Sequence, residues 1–569
     1  MKNIYFYIVR DFVGENKRHF AFLAILSFLS SFLGVSMIAF VLPVLNFIEL
    51  DGNIDTTKTY WTIISKCFDA IGVDITIYTL ALMNFAIVFS FQILDYFRLI
   101  SIQNLYPIGM KHIRSNLMAK YLLDDYLNIN RHAKSSLVTL YTMHASEYGN
   151  LFYRMFVFFF LIAQIVLFTV TLSFISIYLL FLILSYIISI NFFTQKRGDY
   201  ALKSGKEIAN INDKILQGVT EALGSLKITK VLNYEKNIFE KSTSESEKLQ
   251  KKSMKIYKIK GLLNFIDTFN FIFLMSIMVI SYQYFKLPLS EIITFMFLLF
   301  RLVPILKQLN LEKIEINSKL ESALKIYQFL DKCDQPPKFK KSPKTNSLKM
   351  IKIESMSFKF DDQYVLTNVN LTFESSKHYA IMGRSGSGKS SLMNLVLGLY
   401  KPTSGNIMYY NKEDKLINVE SLHMFYMAQE PFILNGTVRE NLLFGLNEEL
   451  RNVADILQSA LRKVDLEVFF DQAQGLDTVI DEDGANLSGG QKQRLALARV
   501  FIRHYDLIVL DEHTSAIDQE SIKIINEAIS CIQDSTIISI THNSNVINNA
   551  DEIIELENYE AKSKGRKSL

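Results

Sequence analysis

The nine residues from Gly383 to Ser391 hold three glycines, four serines and a lysine, with only Arg384 outside those types. Their spacing, Gly-x4-Gly-Lys-Ser, lets successive backbone N–H groups turn inward around the β- and γ-phosphates of a nucleotide. Lys389 adds a positive charge there, and the Ser390 hydroxyl is placed to ligate Mg2+. Gly383, Ser385, Gly386, Ser387, Gly388, Lys389, Ser390 and Ser391 are therefore candidate phosphate-binding residues. An apolar strand-like run precedes the loop and the helical pattern LMNLVLGLY follows it, as a P-loop requires.

Downstream, the apolar run Ile508–Leu510 ends in two carboxylates, Asp511 and Glu512. At the end of a buried strand, Asp511 can hold Mg2+ through water, and Glu512 can orient or deprotonate an attacking water. Just upstream, Leu487-Ser488-Gly489-Gly490-Gln491 opens the helical pattern KQRLALARV. A serine and two glycines at a helix N-terminus make a second phosphate-binding surface, which nucleotide proteins in general do not need.

Taken in this order, the motifs resemble the ABC ATPase family, whose signature is the LSGGQ string, over about residues 349–556. The resemblance implies a Q-loop role, in catalysis and at Mg2+, for Gln429 of YMAQEPFIL, and a switch role for His542 after STIISIT. It implies a D-loop role for Asp518 in Ser515–Asp518, where Ile517 replaces the usual leucine. Phe360 falls where an aromatic ring, more often tyrosine, stacks on adenine. Thr478–Gly484 resembles the exporter segment that touches intracellular loops, and His513 departs from the family's usual alanine. In such ATPases, ATP lies between the P-loop of one domain and the signature residues, here Ser488, Gly489, Gly490 and Gln491, of another. The chain carries one of each with Glu512 intact, so a homodimer with two equivalent ATP·Mg2+ sites is expected. Intact Glu512 also argues against a gated channel or regulator that does not pump.

The elements that must position these residues come after a long oily region. The chain has 569 residues, of which 49% are hydrophobic, with a mean hydropathy of +0.17, as expected for one membrane part and one ordinary soluble part. A bilayer core of roughly 30 Å needs about 20 apolar helical residues. Candidate spans are Phe20–Phe47, Ile75–Leu94, Met155–Phe193, Gly261–Tyr282 and Ile292–Ile305. Met155–Phe193 is nearly twice the required length and holds two spans broken near Ser173–Ser176, which makes six. The last span, interrupted by Arg301 and Pro304, is expected to continue to about Asn310.

Lys and Arg set the orientation. One side holds only Lys58, Lys66 and Lys286, whereas Lys196–Lys260 on the other holds fifteen Lys plus Arg. Both termini are thus expected in the cytoplasm, and Glu207–Glu247 reads as helix, so that membrane helices extend into it. The resemblance implies that the long cytoplasmic loops near residues 120–135 and 208–218 couple the two parts. The first residues, up to about His19, read as an amphipathic surface helix and not a signal peptide. The expected organisation is a transmembrane domain at 1–330, a Pro- and Lys-rich linker at 331–348 and an α/β nucleotide-binding domain at 349–569. The resemblance implies a multidomain protein: an all-α six-helix type I ABC exporter domain followed by an α/β P-loop ATPase, in a bacterial inner membrane.

Cys67, Cys333 and Cys531 fit neither a disulfide framework nor a zinc site and read as packing residues, and a net charge of +4 does not suggest nucleic acid. Asp95, Arg154, Asp267 and Arg301 lie in or beside apolar spans, where charge is costly. Arg301 is the deepest and is a candidate for a cavity that accepts anionic head groups. Between the first two spans, Tyr60, Trp61, Ile64, Cys67, Phe68 and Ile71 recur at helical spacing, an external helix that either lies on the bilayer or packs on the membrane helices. That helix and RLVP in the sixth span resemble flippases of lipid-linked oligosaccharides, which implies a lipid-linked glycan as cargo. Peptides, other lipids and drugs are the alternatives, and no peptidase-like segment precedes the first span, which argues against a cargo-cleaving peptide exporter.

Overall fold

The computed structural model describes residues 17–54, 59–175, 177–285, 289–330, 348–446, 451–512, 519–557 and 560–565. The expected surface helix before residue 17, the linker, Cys333, His513 and the Ser515–Asp518 segment with Asp518 lie outside the described residues. The chain divides into two compact units, Met1–Asp124 with Arg131–Pro337, and Lys338–Leu569 with Asp125–Asn130.

The first unit is helical. Its helices are α1 (Lys17–Ala39), α2 (Val41–Glu49), α3 (Thr59–Ile71), α4 (Ile77–Gln103) and α5 (Leu105–Leu123). After a short excursion come α7 (Lys134–Thr139), α8 (Ala145–Ile175), α9 (Ile177–Gly224), α10 (Leu226–Val231), α11 (Glu235–Phe285) and α12 (Leu289–Leu330). Among the described residues, Lys17–Glu49, Ile77–Leu123, Lys134–Ser173 and Ile292–Leu330 are long and apolar enough to cross a membrane. The two other expected spans fall on α9 and α11, where many side chains lie outside the described ones. The expected break near Ser173–Ser176 falls on Ser176, outside the described residues, and the final helix runs through Pro304 to Leu330, well past Asn310.

Residues 208–218 lie inside α9, in keeping with their helical reading, and the chain turns at 225–234, where Asn233 adopts φ 51°. Two expectations need correction. Cys67 and Cys531 are exposed thiols, not packing residues. On α3 the buried stripe is Trp61, Ile64 and Phe68, packed with Phe40 and Leu80, while Cys67 and Ile71 face outward. The helix therefore packs on neighbouring helices through a narrower face than its sequence suggests. Charges near the spans are paired: Asp95 accepts from Ser30 and Arg98, and Arg154 donates to Asn150 and Glu312. The Asp267 side chain lies outside the described ones.

The second unit is α/β. Strands β1 (Leu348–Phe360), β2 (Gln363–Glu374), β4 (Ser404–Asn411) and β5 (Leu416–Ile417) form an antiparallel sheet in the order β2-β1-β4-β5. A six-stranded sheet follows the order β12-β11-β3-β10-β9-β6, with β3 at His378–Gly383, β6 at Met424–Met427 and β9 at Leu507–Asp511. Its other strands are β10 (Thr536–Ile540), β11 (Glu552–Glu557) and β12 (Glu560–Gly565), and all but β12 run parallel. A two-stranded ribbon joins β7 (Gly436–Thr437) to β8 (Val479–Ile480). Every residue of β10 is buried, and so are Leu507–Leu510 of β9. A parallel strand covered on both faces reads as a continuous apolar run, which is why these two were legible. The helix α6 (Tyr126–Asn130) clusters with this unit, not with its sequence neighbours, because Tyr126 stacks on Tyr400 at 6.0 Å and Leu127 packs on the core.

Candidate nucleotide site

Strand β3 delivers Gly383 to the start of the glycine-rich loop, and α13 (Lys389–Val396) leaves it. A Cβ on Gly383 would lie 2.5 Å from the Leu556 carbonyl oxygen of β11 and 2.7 Å from Ser387 Oγ. Gly388 has φ 96° at the N-cap of α13, and a Cβ there would lie 3.0 Å from the Val365 carbonyl. Only glycine lets the backbone pass this close and adopt that angle. Lys389 is almost fully buried, and its ammonium donates to the carbonyls of Gly383 at 2.6 Å and Arg384 at 3.0 Å. Ser387 Oγ is buried with no hydrogen-bond partner. A phosphate among these groups would give the hydroxyl and the ammonium charged acceptors, so the loop fits a nucleotide.

The parallel order β3-β10-β9-β6 brings the other candidates to the same carboxyl-terminal edge, the ordinary place for a ligand in an open α/β sheet. Asp511 closes β9 opposite Ile540 of β10. Glu512, the next residue, is held at φ 43° while its N–H donates to the Ile540 carbonyl at 2.9 Å. A non-glycine residue there costs on the order of 1–3 kcal/mol, and such strain clusters where a side chain must be aimed. Gln429, just beyond β6, donates its Nε2 to Glu512 Oε2 at 2.7 Å. His542 follows β10 and is exposed, and the preceding Thr541 N–H donates to the Ile381 carbonyl of β3.

Tyr426 is a residue that the sequence reading missed. Its hydroxyl lies 3.3 Å from Asp511 Oδ2 and donates to it. Burial, reinforced by the Asp511 charge, pushes the phenol up to about 12. Burial also raises the Asp511 carboxyl, the Tyr426 bond opposes this, Glu512 adds to it and Lys389 opposes it. The sequence carried no signal for it: Tyr426 stands opposite Val509 in register, two residues from the carboxylate, and only the fold supplies that pairing.

The remaining candidates sit apart. Ser488 caps α14 (Gly489–Ala498), its Oγ accepting from the Gln491 N–H while Gln491 Oε1 accepts from the Ser488 N–H. Among the described residues, these two bond each other and not the P-loop. Gly489 is exposed and Gly490 buried. Phe360 ends β1 and is 38% exposed. In the first unit, Arg301 is exposed on α12, with its guanidinium 5.6 Å from the Phe91 ring centre.

This fold and edge define a P-loop ATPase unit behind a helical membrane unit. Residues 366–515 match the family described as ABC transporter. The whole chain is similar in structure to a bacterial Atm1-family ABC exporter with ATP bound, at TM-score 0.77 and 18% identity over 97% of this chain and 95% of that one. The chain therefore carries an ABC transporter ATPase domain behind a membrane domain and has the fold of an ABC exporter. The heterocyst differentiation ATP-binding protein HepA of Nostoc sp. is 33% identical over 295 residues, 50% of this chain and 47% of that protein. The lactococcin-G-processing and transport ATP-binding protein of Lactococcus lactis is 31% identical over 371 residues, 62% of this chain and 52% of that protein. The ATP-dependent lipid A-core flippase of Pasteurella multocida is 36% identical over 217 residues, 38% of this chain and 37% of that protein. The chain thus spans about half the length, or less, of these curated relatives.

Proposed function

We infer that this protein hydrolyses ATP to export or flip an amphipathic substrate across a bacterial inner membrane by alternating access, as a homodimer. The observation that carries the reading is the Gln429–Glu512 pair and Asp511, all at the sheet edge that bears the glycine loop. Lys389, now bound to its own loop carbonyls, would transfer to phosphate oxygens, with Phe360 against the adenine. Ser390, Gln429 and Asp511, the last through water, would hold Mg2+, which supplies charge neutralisation at the phosphates. Glu512 would polarise the attacking water, with Gln429 and His542 orienting the pair. Ser488–Gln491 of a second copy would complete each site, and Asp518 would lie across that junction. Closure can be driven only by the contacts that nucleotide makes differently in the open and closed states.

The cargo we favour is a lipid-linked oligosaccharide or another lipid-linked glycan. Supporting it are the exposed cation of Arg301 on a spanning helix and a relative named as a lipid A-core flippase. Glu512→Gln should lower ATP turnover by about two orders of magnitude or more while leaving ATP binding intact. Unchanged turnover would overturn the mechanism. In proteoliposomes, polyprenyl-phosphate-linked glycan should be translocated and should stimulate turnover more than amphipathic peptide; the reverse order would replace the cargo.

A further inference from the structure

Helix α11 changes its charge character at one point. Its glutamates Glu235, Glu240, Glu245 and Glu247 all precede Lys248, from Lys248 to Ile266 it has six lysines and no carboxylate, and its next acidic residue is Asp267, inside the apolar segment. Lys248, Lys251, Lys255 and Lys258 recur at i, i+3, i+7 and i+10, one face of a helix, and all four are exposed. The other side of this stretch belongs to the interior: Ile256 packs with Ala201 and Ile314, and Lys260 turns inward to Glu315.

Pairing along the exposed face is uneven. Lys248 meets Glu245 at 2.6 Å, Lys251 approaches Glu247 at 3.9 Å, and Lys252 is held by Glu207 of α9. Among the described residues, no carboxylate lies within 4.0 Å of Lys255 or Lys258. Glu207 feels Lys255 through its field, but the carboxylate is bonded to Lys252. The adjoining α9 adds exposed Lys203 and Lys206.

The apolar segment of α11 begins at Gly261. At about 1.5 Å per residue, Lys258 stands about 4.5 Å and Lys255 about 9 Å before it. A headgroup layer is roughly 5–8 Å deep on each side of the core, and a lysine side chain reaches along its stem toward it. On the exposed face, the two lysines without carboxylate partners thus stand nearest the core, and the partnered Lys248 and Lys251 lie beyond them.

We propose that this face of α11, centred on Lys255 and Lys258, docks anionic phospholipid headgroups of the leaflet on its own side of the membrane. Lipid phosphates take the place of the carboxylates that the helix lacks between Lys248 and Ile266. The proposal rests on α11 spanning the membrane from Gly261, as the proposed function requires.

The test uses the full chain in phosphatidylcholine nanodiscs containing spin-labelled phosphatidylglycerol or spin-labelled phosphatidylcholine. Lys255→Gln with Lys258→Gln should lower the preference for phosphatidylglycerol about thirty-fold, from about 1 kcal/mol per lysine. Lys236→Gln with Lys241→Gln, farther from the membrane, should leave it unchanged. Wild-type preference in the first variant, or equal loss in the second, overturns the proposal. A nitroxide on Lys258→Cys should report headgroup depth. Another depth removes the membrane reading itself, whereas headgroup depth without lipid preference removes only the docking surface. Shielding of Lys255 from acylation by pyrophosphate, but not by phosphatidylglycerol, would assign the face to a soluble phosphate ligand instead.

Discussion

Residue by residue, the nucleotide unit keeps its carboxylate pair and a buried histidine at opposite edges of one parallel sheet. Asp511 and Glu512 stand at the carboxyl edge, while His378 opens β3 at the other. Its Nε2 lies 2.8 Å from Ser539 Oγ, and its backbone N–H donates to Asp551. Burial lowers the imidazole to about 4 from an ordinary 6.5, with Asp551 opposing. Below 6.5 the unfolded chain takes up a proton that the folded chain refuses until about 4. The stabilisation is therefore full above the unfolded value and is lost as pH falls, by about 2 kcal/mol at about pH 5. Hydrogen-exchange protection of β3 and β10 should drop by that amount between about pH 7.5 and 5 in the wild type. His378→Gln should lack this component, and an identical pH slope in the variant would refute the account.

Among the elements, two helix crossings are set by glycine. A Cβ on Gly205 of α9 would lie 2.2 Å from the Ser318 carbonyl oxygen of α12, and one on Gly149 of α8 would lie 2.7 Å from the Tyr106 carbonyl of α5. Gly218, farther along α9, has nothing within 4 Å of such an atom. Gly205→Ala should therefore cost about 1–3 kcal/mol through overpacking. Gly218→Ala should be neutral or stabilise by up to about 1 kcal/mol through helix propensity. Thermal unfolding of the purified chain would show it, and equal Tm values for the two variants would contradict the crossing argument. Periodicity does not reveal which helical glycine meets a backbone, because that depends on a partner on another helix, far away in sequence. The place of the turn is equally hidden: the reversal falls at 225–234, where Asn233 accepts a positive φ.

For the whole molecule, the decisive question is whether a site is shared between two copies. Ser488 and Gln491 are turned to each other within one chain, as a cap that leaves Gly489 exposed at the start of α14. If a partner's P-loop faces that helix, defects in the two motifs should complement. A mixture of Lys389→Ala and Ser488→Arg chains should hydrolyse ATP faster than either variant alone, because one site of each mixed dimer is intact. No gain on mixing, with dimers present by light scattering, would rule out sharing.

Motif chemistry was local and so was readable along the chain: the Gly-x4-Gly-Lys-Ser loop, the Asp511–Glu512 pair after an apolar run, and LSGGQ before a helix. The oily spans were equally plain, since bilayer thickness imposes a length that composition displays. Tertiary structure alone decided what met what. It paired Tyr426 with Asp511, because strand order is invisible in sequence and β6 happens to flank β9. It narrowed the α3 stripe to Trp61, Ile64 and Phe68, because burial depends on which neighbours arrive. It also placed α6 with the ATPase unit, where one aromatic stack on Tyr400 overrides sequence adjacency.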